Sequence, residues 1–117
     1  MKKIILLLLC STAAASEREE VERIALRMDA ATEVVLWDGS RVDIMTDEYA
    51  IEVDWAYKWS EGVGQCLYYA AVSGKKPALL LLWDTRNPTT QRNSLYRAQV
   101  VCAKHGIKLM VEKKQYD

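Results

Sequence analysis

Apolar positions change period along this chain, and the changes mark out its elements. From Glu17 to Met28, Val21, Ile24, Ala25 and Met28 recur at the spacing of one buried helix face. Ser16 stands where an N-cap belongs, with acids just behind it. Glu33 to Trp37 then reads as a strand, Asp38-Gly39 as a hairpin turn, and Arg41 to Met45 as a second strand. A looser turn around Asp47-Glu48 precedes a third strand, Tyr49 to Asp54. Tyr57 to Ser73 is helical, stops at Gly74 and has Pro77 beyond it. Ala78 to Trp83 is almost wholly apolar, as in a strand buried on both faces. Thr89 to His105 is another amphipathic helix, closed by Gly106, and Ile107 to Val111 a last strand. The predicted fold is α/β, in the order α-β-β-β-α-β-α-β. A meander, a crossover helix and a buried strand share one mixed sheet flanked by helices.

Carboxylates break this pattern where the core should be driest. Asp43 sits in the apolar run of the second strand, and the third carries Ile51-Glu52-Val53-Asp54. Alternate strand residues share a face, so Glu52 and Asp54 point the same way. Two adjacent strands thus bring three acids to one sheet edge. Clustered acids in core strands require a cation or a shared proton. An all-oxygen site suits Mg²⁺ or Mn²⁺. Lys58 follows Asp54 by four residues, and Lys58, Gly62, Gln65 and Tyr69 are spaced by four, three and four, so they share a helix face. Gly62 would let a substrate backbone approach closely. Carboxylates to hold a metal, a cation for a pentavalent phosphorus and donors for a strand are the parts of phosphodiester hydrolysis.

Charge and composition add three constraints. The 117 residues suffice for one small domain. Net charge is zero, but residues 16–74 carry a net −8 and residues 75–117 a net +6. The basic half could face an anionic polymer. The simpler reading makes Lys104, Lys108, Lys113 and Lys114 a solvated face. Residues 1–15 read as a secretory signal peptide, with Lys2 and Lys3, an apolar run from Ile4 to Leu9, and cleavage after Ala13 or Ala15. This run is too short for a stable membrane span. Lipid attachment at Cys10 is disfavoured by Leu9 before it. Residues 16–117 form the domain, secreted or periplasmic, in which Cys66 and Cys102 either pair or stay as buried thiols. No Cys/His spacing suggests zinc, and no glycine-rich phosphate loop is present.

With Asp on the second strand, Glu-x-Asp on the third and Gln65-Cys66-Leu67-Tyr68-Tyr69 on the helix behind, the chain resembles the PD-(D/E)xK nuclease superfamily. The last stretch matches the Q-x-x-x-Y motif of its RecB-like branch, and the likeness covers about residues 17–113. The resemblance implies a restriction endonuclease-like αβββαβ core and Mg²⁺- or Mn²⁺-dependent hydrolysis of DNA. Asp43 and Glu52 would hold the metal, and Glu33 or a first-helix glutamate (Glu19, Glu20 or Glu22) would add to it. Gln65 and Tyr69 would orient the strand or the attacking water. The superfamily usually has lysine where this chain has Asp54. Some branches relocate it to the following helix, where Lys58 fits. The rival is a non-catalytic descendant that binds nucleic acid or a protein partner. A homodimer would widen the grip of so small a domain.

Each residue also has a simpler reading. Asp43 could pair with Arg41, Asp54 could cap the next helix, and Lys58 could be a surface lysine. One of Tyr68 and Tyr69 is expected in the core. Trp55 and Trp59 are expected to pack, and Trp37 and Trp83 to lie in the sheet core. His105 is expected to close its helix rather than act in catalysis.

Overall fold

The computed structural model describes residues 12–114, with side chains from Glu17 onward. Helix α1 (Thr12–Met28) leads into strands β1 (Ala31–Val35), β2 (Arg41–Met45) and β3 (Tyr49–Trp55). A 3-10 turn (Ala56–Lys58) and helix α2 (Trp59–Ser73) return the chain to β4 (Lys76–Asp84). Helix α3 (Pro88–His105) and β5 (Lys108–Lys114) complete it. The strands lie in sequence order in one five-stranded sheet. The β1–β2–β3 meander is antiparallel, and β4 and β5 run parallel to β3. The sheet is mixed and flanked by helices, in the αβββαβ order the pattern predicts.

Alternation divides the core between the two faces. Ile51, Val53, Ala78, Leu80 and Leu82 pack with Ile44 against Val21, Ile24 and Ala25 of α1. Leu79 and Leu81 point the other way, against Cys66 of α2 and Ala98 and Cys102 of α3. Leu79 through Leu82 are buried without exception, because helices cover β4 on both sides. Cys66 and Cys102 are free, buried thiols. Both helices that follow the meander end on a glycine in the left-handed region, Gly74 (φ 76°) and Gly106 (φ 66°).

Ion pairs tie α1 to the far end of the chain. Lys114 on β5 reaches Glu20 at 3.0 Å, and Arg23 donates to the same carboxylate. Arg27 pairs with Glu112. Burial pushes the Glu20 carboxyl up, but its hydrogen bonds from Arg23 and Lys114 outweigh this and hold it below the usual value. The acidic and basic halves are thus partly neutralised by each other. Lys104, Lys108 and Lys113 are exposed as the solvated-face reading expects, and Lys108 Nζ lies 4.9 Å from the Tyr49 ring centroid.

Several sequence expectations are corrected. Helix α1 begins at Thr12, so Ser16 lies inside it and is no N-cap. Residues 1–11, most of the expected signal peptide, lie outside the described residues. No helix among the described residues is long and apolar enough to cross a membrane. Strand β1 ends at Val35 because the chain turns at Leu36, whose N–H donates to Ser40 O at 2.8 Å. Trp37 therefore belongs to the hairpin tip and is 85% exposed, not sheet core. Trp83 is half-buried at the end of β4. Trp55 and Trp59 pack against the two core faces as expected.

Gly62 is where α2 comes closest to the sheet. A Cβ there would lie 2.7 Å from Leu79 Cδ1 and 3.6 Å from Asp54 Cβ. The absent side chain serves helix packing and not the approach of a substrate. Gly62→Val should cost about 2–3 kcal/mol, overpacking outweighing any gain in helix propensity. Thermal melting should show a fall of roughly 10 °C. An unchanged melting temperature would mean that α2 can shift away from β4.

Candidate functional site

The site forms where β2 and β3 part. Their ladder pairs Met45 with Ala50 and Ile44 with Ile51, and one step further the register would set Asp43 across from Glu52. There the backbone ladder ends. The Val53 N–H instead donates to Asp43 Oδ2 at 2.9 Å. The aspartate thus replaces a strand carbonyl as acceptor, and its simpler reading as a partner of Arg41 is not realised. Asp43 and Glu52 are near enough that each shifts the other's titration. Glu52 is buried and Asp43 half-buried. Burial, then the Asp43 charge beside it, pushes the Glu52 carboxyl up to about 10. Burial raises Asp43 as well. Burial and the neighbouring charge thus both favour the neutral form of Glu52 beside Asp43.

Asp54 is the next inward acid on β3 and is also buried. Burial lifts it to about 6, with a further push from Glu17, while the Lys58 charge pulls it down. Its Oδ1 accepts the Trp55 N–H at 3.1 Å, and it caps no helix. Lys58 ends the 3-10 turn, exposed, with its charge acting on Asp54 and on Glu17. Its Nζ lies 5.8 Å from the Tyr57 ring centroid. Lys58 precedes α2, so it does not continue that helix's face as the spacing implied.

On α2, Tyr69 overlooks the carboxyl pair. It is half-buried, and its hydroxyl is raised first by burial and then by the Glu52 and Asp43 charges. Gln65 is exposed. Neither tyrosine is core, since Tyr68 is 52% exposed and its hydroxyl donates to Asp38 in the β1–β2 turn. His105 is exposed at the end of α3, remote in sequence from these groups and from the strands that carry them.

Helix α1 contributes a residue that the sequence reading passed over. Glu17 is raised by burial and by the Asp43 charge, and is partly relieved by Lys58. Of the glutamates named instead, Glu20 is taken by Lys114 and Glu19 is exposed, while Glu22 lines the same cleft as Glu17 and Asp43. A signal did exist. Glu17, Val21, Ile24 and Met28 fall on one helical stripe, so the stripe that buries the helix ends in a carboxylate.

Glu33 stands at the rim. Its carboxylate takes both bonds from Arg18 Nη2, at 3.0 and 2.8 Å, and Asp43 feels its charge. It is held at φ 48°, the left-handed region, directly where it would face Asp43 in the ladder. Arg18, Glu33, Glu17, Thr32 and Asp43 line a cleft of about 390 Å³ that opens beside the pair. Among the described residues, no group of three or more His, Cys, Asp or Glu side chains is gathered to hold a metal ion.

Comparison with known proteins adds one likeness. No family model matches the chain, and no solved structure matches it. A KilA-N domain-containing protein of Acanthamoeba polyphaga mimivirus is 30% identical over 95 residues, 81% of this chain. The match covers 36% of that protein, so the chain spans about a third of its length.

The raised carboxyls give stability a definite pH dependence. The folded Glu52 and Asp54 hold protons at pH values where the unfolded chain, near 4.5 for Glu and 3.8 for Asp, has lost them. The folded state binds more protons across that window, so stability falls as pH rises above about 4, through about 6 and on towards about 10. Glu52→Gln keeps a polar group beside Asp43 without the ionisation. At pH 8 it should melt at least about 4 °C higher than wild type without metal, the equivalent of about 1 kcal/mol. A melting temperature that rises with pH across this window in wild type would contradict the neutral Glu52.

Proposed function

We propose that this chain is a Mg²⁺- or Mn²⁺-dependent nuclease of the PD-(D/E)xK kind that hydrolyses DNA phosphodiester bonds. One observation carries the reading: the buried Glu52 and half-buried Asp43, set opposite each other where β2 and β3 part, with a lysine on the next turn. A divalent cation is the natural replacement for the proton on Glu52. The donors are all oxygen, and Mg²⁺ commonly takes only one or two protein carboxylates and keeps its waters for the rest. The residues therefore fit the ion even without a third carboxylate in place. The likeness to a viral protein with a KilA-N domain, a DNA-binding domain, supports nucleic acid as the ligand.

Bound there, the cation would activate water and neutralise phosphate charge. Asp43 and Glu52 would hold it, and Glu17 is the further carboxylate within reach of their charge. Lys58 would set its ammonium against the charge that develops on the phosphate. Tyr69 and Gln65 would position the strand from α2. The basic and apolar start, residues 1–15, would direct this activity outside the cytoplasm.

Asp43→Asn should leave the fold intact, since an amide oxygen still accepts the Val53 N–H. Metal-dependent cleavage of linear and circular DNA should fall at least ~10²-fold. Cleavage at the wild-type rate would remove Asp43 from the chemistry. Lys58→Ala should lower turnover strongly while Mn²⁺ binding survives, because a lysine ammonium is not a ligand. Normal cleavage in that variant would leave Lys58 a surface residue.

The second reading is a nuclease fold that binds without cutting. Asp54 favours it, standing where the superfamily has lysine. A wild type that binds DNA and cleaves nothing with either metal would decide for it.

A further inference from the structure

Trp37 is the most exposed large apolar side chain among the described residues, at 85%, yet its position is fixed. The indole N–H donates to Val72 O of α2 at 3.3 Å. The turn beneath it is pinned on both sides of Asp38. Ser40 donates its N–H and hydroxyl to Asp38 Oδ1 at 3.0 and 2.6 Å, and Tyr68 donates to the other oxygen. Gly39, at φ 88°, permits the tight reversal. An aromatic plate is thus held with its faces in water, and the entropy of ordering it is already spent.

This plate adjoins the site already described. Tyr69 feels the charges of Glu52 and Asp43, and also that of Asp38 at the hairpin tip. Its ring stands edge-on to Tyr68, with centroids 6.1 Å apart. Tyr69, Tyr68 and Asp38 thus lead from the neighbourhood of the carboxyl pair to the hairpin. The hairpin tip that carries Trp37 leads into β2, and from Ser40 to Asp43 is three residues of extended chain, roughly 10 Å. Arg41, exposed on β2 between the two, can meet the intervening backbone.

We propose that Trp37 stacks on an unpaired base of the strand whose phosphate lies at the Asp43–Glu52 pair. This rests on the nuclease reading and makes it more specific. Bases inside a duplex offer no free face, so the preferred substrate is single-stranded DNA or a frayed end. Every base has such a face, so stacking brings no sequence preference.

The test is oligonucleotide binding in the Asp43→Asn background, with Mg²⁺ present, so that the strand is held and not cut. The probes are a 12-nucleotide single strand, the same strand with abasic sites, and a closed duplex of the same sequence. Adding Trp37→Ala should weaken single-strand binding roughly 5- to 150-fold, as one lost base stack implies. Trp37→Phe, which keeps a ring but not the N–H, should stay within about threefold. Abasic DNA and the duplex should not distinguish the variants. Equal single-strand affinity with and without Trp37 overturns the stacking role alone, and so does an equal loss on abasic DNA. If neither Asp43→Asn nor wild type binds any of the three probes, stacking and the nuclease reading fail together.

Discussion

Two carboxyl groups share one dry place in this protein, and much of its local geometry follows from them. Asp43 and Glu52 face each other across β2 and β3, where burial raises both carboxyls and repulsion from Asp43 raises Glu52 further. Ionising both there would cost several kcal/mol, so the structure keeps one neutral. The strands part at this step, because Asp43 takes the Val53 N–H that a neighbouring strand would otherwise bind. The parting opens the sheet to solvent beside the cleft lined by Arg18, Glu33 and Glu17. On the proposed reading, a cation bound there would relieve the same repulsion.

The surrounding fold keeps that place fixed. Helix α1 brings Glu17 to the pair while Glu20–Lys114, within one turn of it, and Arg27–Glu112, at the helix end, latch the helix to β5. Helix α2 presses Gly62 against Leu79 and Asp54, which allows the helix to approach β3 closely enough for Tyr69 to overlook the acids. The hairpin between β1 and β2 is bound to α2 through Tyr68 and Trp37. Sheet, helices and hairpin therefore reach the pair from three directions.

The periodicities carried most of the fold. The run from Ala78 to Trp83 announced a strand covered on both faces, and Gly74 and Gly106 announced the helix ends. The acids of β3 were legible too, because polar residues in a buried strand stand out against alternation. What was not legible depended on tertiary placement. Trp37 looks like core by composition, and only the hydrogen bonds of the turn show that the strand has already ended. Gly62 looks like open space by residue type, and only the packing of α2 on Leu79 fills it. Glu17 lay one residue past the expected cap, so its place at the end of the buried stripe went unread. Lys58 was read as helical, but the chain first makes a 3-10 turn, which changes where its ammonium is carried.

The most direct test of the carboxyl pair as a cation site is calorimetric titration of Mn²⁺ at pH 8. It should be run in two buffers that differ in protonation enthalpy. Replacement of the Glu52 proton predicts saturable binding of one cation with release of about one proton, since Glu52 otherwise holds its proton up to about 10. In Glu52→Gln the proton release should vanish and the affinity should fall. Binding with no proton release, or no binding at millimolar Mn²⁺, would contradict it.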